Sequence, residues 1–397
     1  MPASPSTARA INDRLALRLL QSEGPLTAGQ LKELTGLSRP SVADLVERLT
    51  AQGLIEVVGE AGAQRRGPNA KLHGIVSGLA HLAALDVRTE GVTLTVADLV
   101  GTVLAEASAP IDDEEGTGPA VERAVALVER TAKEAGAERL HTVGIGAPGL
   151  IDPVTGELRD SSGLPEWHRR LVAALHERLP ARVLVENETN LAALAEQRDG
   201  AARDRDTFAL LWLGHGIGAA VVLDGVLRRG ASGGTGEIGF LPVPGTSGLP
   251  SATGCDGGFH SLAGSAAIAE LARAHGLVGP TAAAPGEPAA AALVREAVRA
   301  EPGTPAARFL DALADRLVLG AASVVAVLDP GCLVLGGEVG RAGGDRLATL
   351  VASRLAAMSP LPTEVRAGAL GGGAVLRGAL LMARDGAQDD LFAPTDR

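Results

Sequence analysis

Six side chains near the start of the sequence have the chemistry to contact nucleic acid. Arginine can donate paired hydrogen bonds to the acceptors of guanine, and serine hydroxyls suit phosphate oxygens. The six fall into two groups along the chain: Ser38, Arg39, Ser41 and Arg48 in the first, and Arg65 and Arg66 in the second. We therefore expect a surface for double-stranded DNA within residues 1–76.

The first group must be positioned by helices, which the spacing of apolar residues predicts over residues 11–50. The first helix is expected to stop at Gly24 and Pro25, because neither residue continues a helix well. Its predicted buried face consists of Ile11, Leu15, Leu19 and Leu20.

Local signals mark the next two helices. Thr27 and Gln30 form a capping-box pattern that opens the second helix, and a turn containing Gly36 follows it. Ser38 is a good N-cap for the third helix, and Pro40 lies in its first turn, where the missing N–H donor is not needed. The third helix is expected to bury Val42, Leu45, Val46 and Leu49.

Two strands, predicted at 54–58 and 71–76, enclose a tip that carries glycine and arginine. A helix, a short turn, a second helix and a hairpin together make a winged helix-turn-helix, whose second helix enters the major groove by its N-terminal end. Arginines at the wing tip suit a narrow minor groove. The alternative is that the same elements form a dimerisation or protein-binding module.

Charge is unevenly distributed along the 397 residues. The net charge is −11, yet residues 1–76 hold nine Lys and Arg against seven Asp and Glu, which leaves that segment mildly positive. This imbalance fits a small nucleic-acid-binding unit on an acidic body. Two cysteines give no disulfide framework, and no apolar run is long enough to span a membrane, so we expect a cytoplasmic protein.

From about residue 80 the pattern alternates between strands and helices, which predicts an α/β body. The clearest strand-like segments are 143–149, 183–187, 208–225 and 332–339. The clearest helix-like segments are 120–136, 191–200 and 309–328. The Ala- and Pro-rich run at 281–292 is expected to be a solvent loop or a helix connection.

The turn DVRTEG, residues 86–91, lies between strands predicted at 82–85 and 92–96, and a third strand follows at 103–104. Many nucleotide-binding folds place a glycine-rich loop at this point, so that backbone N–H groups can approach phosphate. Here the loop holds Arg88, Thr89 and Glu90, and glycine appears only at Gly91. The turn therefore has the outline of a phosphate loop without its glycines.

Four segments of the body resemble the ROK family, which unites bacterial repressors, uncharacterised reading frames and sugar kinases. They are GIGAPGLID, VENETNLAALAE, LGHGIGAAVVLDGVLRRGASGGTGEIGF and DPGCLVLGGEV. The resemblance covers nearly the whole chain and implies a two-lobed, actin-like (ribonuclease H-like) ATPase-type fold with a sugar pocket in the cleft, usually as a dimer or tetramer. The winged helix resembles that of the repressor branch.

The resemblance implies three units along the chain. Residues 1–76 form the DNA-binding domain, 80–187 with 370–397 form the first lobe of the body, and 188–369 form the second lobe, with effector binding and dimerisation.

The family's kinases hold ATP phosphates with an Asp-x-Gly-Gly-Thr loop, which corresponds here to Asp86, Arg88, Thr89 and Glu90. Side chains in place of both glycines would block the approach of phosphate, and a glutamate would repel it, so we expect no ATP and no enzyme activity. The kinases' catalytic base is the aspartate of an Asn-Asp pair, and the glutamate that replaces it, Glu188, is one methylene longer.

The sugar pocket of the family maps onto Asn187, Glu188, Glu237 and His260, which are the candidate effector-binding residues. His260 stands in place of a sugar-contacting glutamate, and Gly163 in place of an asparagine. These carboxylates could equally be solvated or cap helices, and His260 could be an ordinary hydrogen-bonded residue.

The family's zinc ligands, one histidine and three cysteines, are replaced by Phe240, Ser251, Thr253 and Gly258. Cys255 falls between ligand positions. Tetrahedral zinc needs four nitrogen or sulfur ligands, so we predict no zinc.

The sequence thus predicts a regulator of transcription, a repressor of carbohydrate metabolism that binds an operator as a homodimer or homotetramer and senses a sugar-like effector. Two alternatives stay open. One is an active ATP-dependent sugar kinase with an added DNA-binding domain, and the other is a DNA-binding protein without an effector.

Overall fold

The computed structural model describes residues 5–61, 70–111, 116–159, 166–251, 254, 256–277 and 287–393. Its first unit contains three helices and three short strands: α1 (Pro5–Glu23), β1 (Leu26–Thr27), α2 (Ala28–Thr35), α3 (Arg39–Ala51), β2 (Ile55–Ala61) and β3 (Ala70–Ile75). The strands form an antiparallel sheet in the order β1-β3-β2. This arrangement confirms the predicted winged helix-turn-helix.

The predicted helix caps are present. The Thr27 hydroxyl accepts a hydrogen bond from the Gln30 amide, and the Gln30 side chain accepts one from the Thr27 amide. Helix α2 ends at Gly36, whose φ of 69° lies in the left-handed region that favours glycine. Ser38 caps α3 by accepting from the Ser41 amide at 3.3 Å. Helix α3 buries Val42, Leu45 and Leu49, as predicted, whereas Val46, the fourth predicted residue, is only partly buried.

The predicted buried face of α1 is wrong in part. Ile11 and Leu15 are 58% and 39% exposed, whereas Ala16 and Leu17 are buried. Leu20 is buried as expected. The prediction followed the large apolar side chains, but the helix packs with a face rotated by about one residue, roughly 100°, toward the small Ala16.

The body contains two five-stranded sheets within the described residues. The first has the order β6-β5-β4-β7-β8, formed by β4 (His81–Arg88), β5 (Gly91–Asp98), β6 (Val103–Pro110), β7 (Leu140–Ala147) and β8 (Arg182–Asn187). The second has the order β11-β10-β9-β12-β13, formed by β9 (Phe208–Leu213), β10 (Ile217–Leu223), β11 (Val226–Leu227), β12 (Cys332–Gly336) and β13 (Glu364–Ala367).

The two sheets have the same topology. In each, the first three strands along the chain pair antiparallel, and the last two extend the sheet in parallel. We call the first sheet with its helices the first lobe, and the second sheet with its helices the second lobe. This repeated unit is the two-lobed, actin-like fold expected from the sequence.

Helices cover these sheets. The first lobe has α4 (Thr117–Glu134) and α5 (Glu166–Arg178), and the second lobe has α7 (His260–Ala263), α8 (Ser265–Ala274), α9 (Ala289–Ala297), α10 (Pro305–Leu328) and α11 (Gly337–Met358). Two further helices, α6 (Glu188–Asp199) and α12 (Ala374–Leu391), pack on each other, and α12 packs on β4 and β7. The chain passes from the first sheet to the second after β8 and returns before α12. The domain boundaries given above stay predictions.

The Ala- and Pro-rich run is not simply a loop. Residues 278–286 lie outside the described residues, but α9 (Ala289–Ala297) begins within the run and buries Ala290 and Ala291. Alanine has the highest intrinsic helix propensity, and Pro288 precedes the helix rather than interrupting it. Across the described residues, no helix is long and apolar enough to cross a membrane.

Candidate functional sites

The N-terminal end of α3 presents an exposed cation. Arg39 is the first residue of the helix, is exposed, and makes no ion pair within the described part of the chain. The Ser38 and Ser41 hydroxyls lie beside it, 2.9 Å apart, and both residues are exposed. Amide groups at a helix N-terminus favour an anion, so this end of α3 can bind a phosphate or a base edge.

Arg48 lies about two and a half turns further along the same helix and has a different environment. Its Nε donates to Asp13 of α1 at 3.0 Å, a second guanidinium nitrogen donates to the other oxygen of Asp13, and a third donates to Asp44. The hydrogen bond to Asp13 is the main reason that the pKa of Arg48 is raised. The structure therefore gives Arg48 a role in joining α1 to α3, and its contact with DNA stays a prediction.

The described part of the wing consists of its two strands. Strands β2 and β3 pair as far as Ala61 and Ala70. Arg65 and Arg66 lie outside the described residues, so their contact with DNA also stays a prediction.

In the body, the DVRTEG turn is a two-residue hairpin. Arg88 pairs with Gly91 across the end of β4 and β5, and Thr89 and Glu90 form the turn. The Arg88 side chain turns back into the cleft and occupies space between the two lobes. It donates to Asp86 in the same strand, with Nε 3.0 Å from Oδ2.

Arg88 also reaches across the cleft. One terminal nitrogen donates to Oε1 of Glu338, at the start of α11, at 2.7 Å, and the other donates to the Gly372 carbonyl oxygen at 3.0 Å. The side chains of Asp86 and Glu338 are only 6% and 9% exposed, so these carboxylates depend on Arg88 for compensation of their charge. Burial nevertheless raises the pKa of Asp86.

A second ion pair joins the same turn to the second lobe. Nε2 of His215, in the connection between β9 and β10, lies 3.6 Å from Oε1 of Glu90. The pair is ionic only when His215 is protonated. We call the Arg88–Glu338 and Glu90–His215 pairs together the interlobe clasp, because each connects the DVRTEG turn to the second lobe.

A cavity of about 270 Å³ lies beneath the clasp. Both lobes line it, with Asp86, Val87, Arg88, Thr89, Glu90, Pro148, Glu188, Trp212, His215, Gly216, Glu338 and Val375. We call it the cleft cavity. Of the four candidate effector-binding residues, Glu188 is the one among its described lining residues.

Glu188 is a second carboxyl group in the cleft whose pKa is raised. Its Oε2 is enclosed and has no hydrogen-bond partner in the described structure. The pKa of Glu188 is raised to about 7, mainly by burial and also by the nearby carboxylates of Asp86 and Glu237, while a backbone hydrogen bond and the charge of Arg88 act in the opposite direction. At neutral pH this group can therefore either donate or accept a hydrogen bond.

The other three candidate effector residues do not line this cavity. Asn187 caps α6: its Oδ1 accepts from the Thr189 amide at 2.8 Å, and its Nδ2 donates to the Gly149 carbonyl at 2.9 Å. Its amide is thus used within the protein. Glu237 directly precedes the short turn of helix at Ile238–Phe240 and is exposed, and partial loss of solvent around its carboxyl group raises its pKa. His260 begins α7, and burial lowers its pKa.

The sequence interpretation missed the partners of Arg88. Glu338 was part of a quoted motif, and a carboxylate directly after a buried strand is a signal for a cleft residue. The contact itself joins residues 250 positions apart, which no local pattern can reveal. Trp212 and His215, which line the cavity from the second lobe, were missed for the same reason.

The zinc and nucleotide expectations remain untested. Thr253 and Cys255 lie outside the described residues, and Ser251 pairs with Gly254 through their backbones. Over the part of the chain that the structure describes, no group of three or more His, Cys, Asp or Glu side chains is arranged to hold a metal ion. The absence of zinc and of ATP binding stays a prediction.

Family models and known proteins resemble parts of the chain. Residues 11–66 match the model of the MarR family. The DNA-binding transcriptional dual regulator NagC of Escherichia coli K12 is 28% identical over 243 residues, which are 59% of this chain and 58% of NagC. The glucokinase of Thermotoga maritima is 32% identical over 224 residues, which are 55% of this chain and 70% of that enzyme. The chain thus spans little more than half the length of the regulator.

A solved structure resembles the whole chain. It is a ROK family transcriptional regulator, a homologue of the E. coli MLC protein, with a TM-score of 0.75 and 21% identity over 97% of this chain and 98% of its own. This likeness confirms the fold, with the winged helix attached to a two-lobed body. The model of the ROK family matches residues 82–386, well over half of the chain, and the protein therefore belongs to the ROK family.

Proposed function

We propose that this protein is a DNA-binding transcriptional repressor whose kinase-like body does not transfer phosphate but senses a small, sugar-like molecule. It binds an operator as a homodimer or homotetramer, in the cytoplasm, and regulates carbohydrate metabolism. A dimer would place two α3 helices in half-sites about one turn of DNA apart.

The contacts of Arg88 carry this proposal. The family's kinases hold ATP phosphates on two glycines at this turn, whereas here the Arg88 side chain fills the space and is bound to Asp86, Glu338 and the Gly372 carbonyl. Phosphoryl transfer depends on positioning and on neutralisation of charge. A phosphate would instead meet the Arg88 side chain, whose charge is already paired, and the carboxylates that line the cavity beside it. This arrangement favours a regulator over a kinase.

The first unit supports the DNA-binding part. Arg39 is exposed at the N-terminal end of α3, beside two serine hydroxyls, and has no ion pair among the residues that the structure describes. Residues 11–66 match the MarR family model, and one similar protein is described as a DNA-binding transcriptional regulator. An unpaired cation at a helix start suits DNA phosphates and base edges.

Helix α12 provides a physical route from the cleft to the DNA-binding unit. Val375, in its first turn, lines the cleft cavity. Near its other end, Asp385 accepts from Gln21 of α1 at 2.7 Å, and Asp389 accepts from Arg14 of α1 at 3.3 Å. The helix has 18 residues and so spans about 27 Å. A change of lobe closure would reach α1 through it, provided that the ligand binds the two states with different affinities.

Genome-wide recovery of DNA bound by the full chain tests the proposal. We expect a small set of discrete sites, each with two related half-sites, near genes for carbohydrate use. Uniform recovery without discrete sites would contradict the assignment as a repressor. The neighbouring genes would also narrow the choice of effector.

A further inference from the structure

The cleft cavity has a surplus of hydrogen-bond acceptors. Four carboxyl groups line it, those of Asp86, Glu90, Glu188 and Glu338. The cations among its described lining residues are Arg88, which is permanently charged, and His215, which is charged only when protonated. The cavity therefore carries net negative charge and repels an anion such as phosphate.

Most of these carboxylates already have partners. Asp86 and Glu338 bind Arg88, and Glu90 faces His215 and accepts from the Thr89 hydroxyl. Oε2 of Glu188 is the exception, since it is enclosed and has no partner in the described structure. A buried polar atom without a partner lowers stability, and because Glu188 lines the cavity, its carboxyl group is the place where the donor of a ligand would bind.

We propose that the cleft cavity binds a small primary-amine cation of the amino-polyol class, with its ammonium group on the Glu188 carboxylate. An ammonium group has three donors and no acceptor, which complements a site that offers mainly acceptors. Trp212 lines the same cavity and provides an aromatic surface that attracts a cation. The volume, about 270 Å³, is near the lower end for small-molecule sites and suits a molecule of sugar size.

A divalent metal ion is a poorer match for this site. Magnesium and calcium require six or more oxygen ligands at short distances. Asp86 and Glu338 are held by Arg88, which leaves Glu188 as the one carboxylate with an unused buried oxygen. A monovalent ammonium needs one such carboxylate, and its polyol hydroxyls can bond to the remaining acceptors.

Calorimetric titration of the full chain tests the proposal with 1-amino-1-deoxysorbitol and with sorbitol, its neutral counterpart. We expect the amine to bind at least tenfold more tightly than sorbitol. Glu188→Gln should weaken the amine at least tenfold. Glu134→Gln, an exposed residue of α4, is the matched control and should leave the affinity unchanged.

Three outcomes would overturn the assignment: equal affinity for amine and sorbitol, no effect of Glu188→Gln in a variant that still unfolds cooperatively, or tighter binding of inorganic phosphate or magnesium ion than of the amine. The effector role of the ligand rests on the proposed function, and gel shifts with and without the amine separate the two. Amine binding that leaves DNA affinity unchanged supports the site and contradicts its effector role. Failure of the chain to bind DNA contradicts the repressor assignment alone.

Discussion

Arg39 in the winged helix and Arg88 in the cleft are the same residue type in opposite surroundings. Arg39 is exposed and has no ion pair in the described part of the chain, so its charge is available to a partner molecule. Arg88 is bound by Asp86, Glu338 and a carbonyl, so its charge is already used. Arg48 resembles Arg88 in this respect, because Asp13 and Asp44 hold it.

The comparison shows that the position of the carboxylates decides the role of each arginine. The winged helix, where Arg39 is exposed and has no ion pair in the described part of the chain, can bind an anionic polymer such as DNA. The region that places a paired cation in its cleft gains a connection between the lobes, and we predict that it does not hold phosphate. The following predictions test this difference, beginning with the largest expected effect.

Removing three arginines of the DNA-binding unit should have the largest effect. Arg39→Ala with Arg65→Ala and Arg66→Ala should weaken operator binding by about a thousandfold, since each contact contributes about 1–3 kcal/mol. The slope of log affinity against log salt should fall by about 3, because fewer counterions are released. Gel shifts over a series of salt concentrations measure both.

Arg130→Ala is the matched control for that variant, because Arg130 is an exposed arginine of α4 in the body. It should leave affinity and salt slope unchanged. Equal affinity of the triple variant and the wild type would contradict the winged-helix assignment.

Glu188→Gln tests the buried carboxyl group of the cleft. The pKa of Glu188 is about 7 in the folded chain against 4.5 ordinarily, so the native state holds a proton that the unfolded state has lost between these values. Stability therefore falls as pH rises from about 4.5 to about 7 and then levels off, by about 3 kcal/mol in total.

Glutamine carries no charge at any pH, so the variant should be about 3 kcal/mol more stable than wild type at pH 8 and equal to it at pH 4. Denaturant unfolding at the two pH values measures this difference. Glu134→Gln is the control, and its stability relative to wild type should be the same at both pH values. If the stability of Glu188→Gln relative to wild type were also the same at both pH values, the raised pKa of Glu188 would be contradicted.

Arg88→Met tests the interlobe clasp. It leaves the enclosed Asp86 and Glu338 carboxylates without their partner, and should lower stability at pH 7 by about 2 kcal/mol, less than for a fully buried pair because Arg88 is a quarter exposed. In a Glu338→Gln background, Arg88→Met should lower stability by less, because one of the two carboxylates that bind Arg88 has already been replaced by a neutral group. Equal losses in the two backgrounds would show that the two residues are not coupled.

Thr27→Ala should have the smallest effect, about 1 kcal/mol, through loss of the capping box of α2. The loss of the capping box would be measured as faster hydrogen exchange of the α2 amides, including that of Gln30. Thr50→Ala, at an exposed position near the end of α3, is the control and should leave exchange in α2 unchanged. Identical exchange in both variants would contradict the capping role of Thr27.

Local features of the fold could be predicted from the sequence. The caps at Thr27 and Ser38 depend on residues within three positions of each other, and the two-residue turn depends on the strands on either side. The buried face of α1 was harder, because Ala16 and Leu17 are buried by packing against other elements and not by their own periodicity. Helix α9 was not predicted, because the prolines of the Ala- and Pro-rich run indicated a loop.

The candidate site was predictable only in part. The replacement of glycines at Arg88 and Thr89 was visible in the sequence, and so was the presence of a carboxyl group at Glu188. The partners of Arg88 depend on contacts between residues far apart in sequence. The same holds for the different positions of Glu188, which lines the cavity, and Asn187, which bonds to Gly149. Such contacts exist only after the two lobes have packed together.

A coupled assay of ATP consumption, run with the full chain and a panel of common sugars, tests the central claim most directly. Because Arg88 occupies the place of the phosphate-binding glycines, we expect no sugar-dependent turnover above the background without protein. Turnover that depends on both sugar and protein would contradict the account, because the DVRTEG turn would then have to bind the phosphates that its side chains are proposed to exclude.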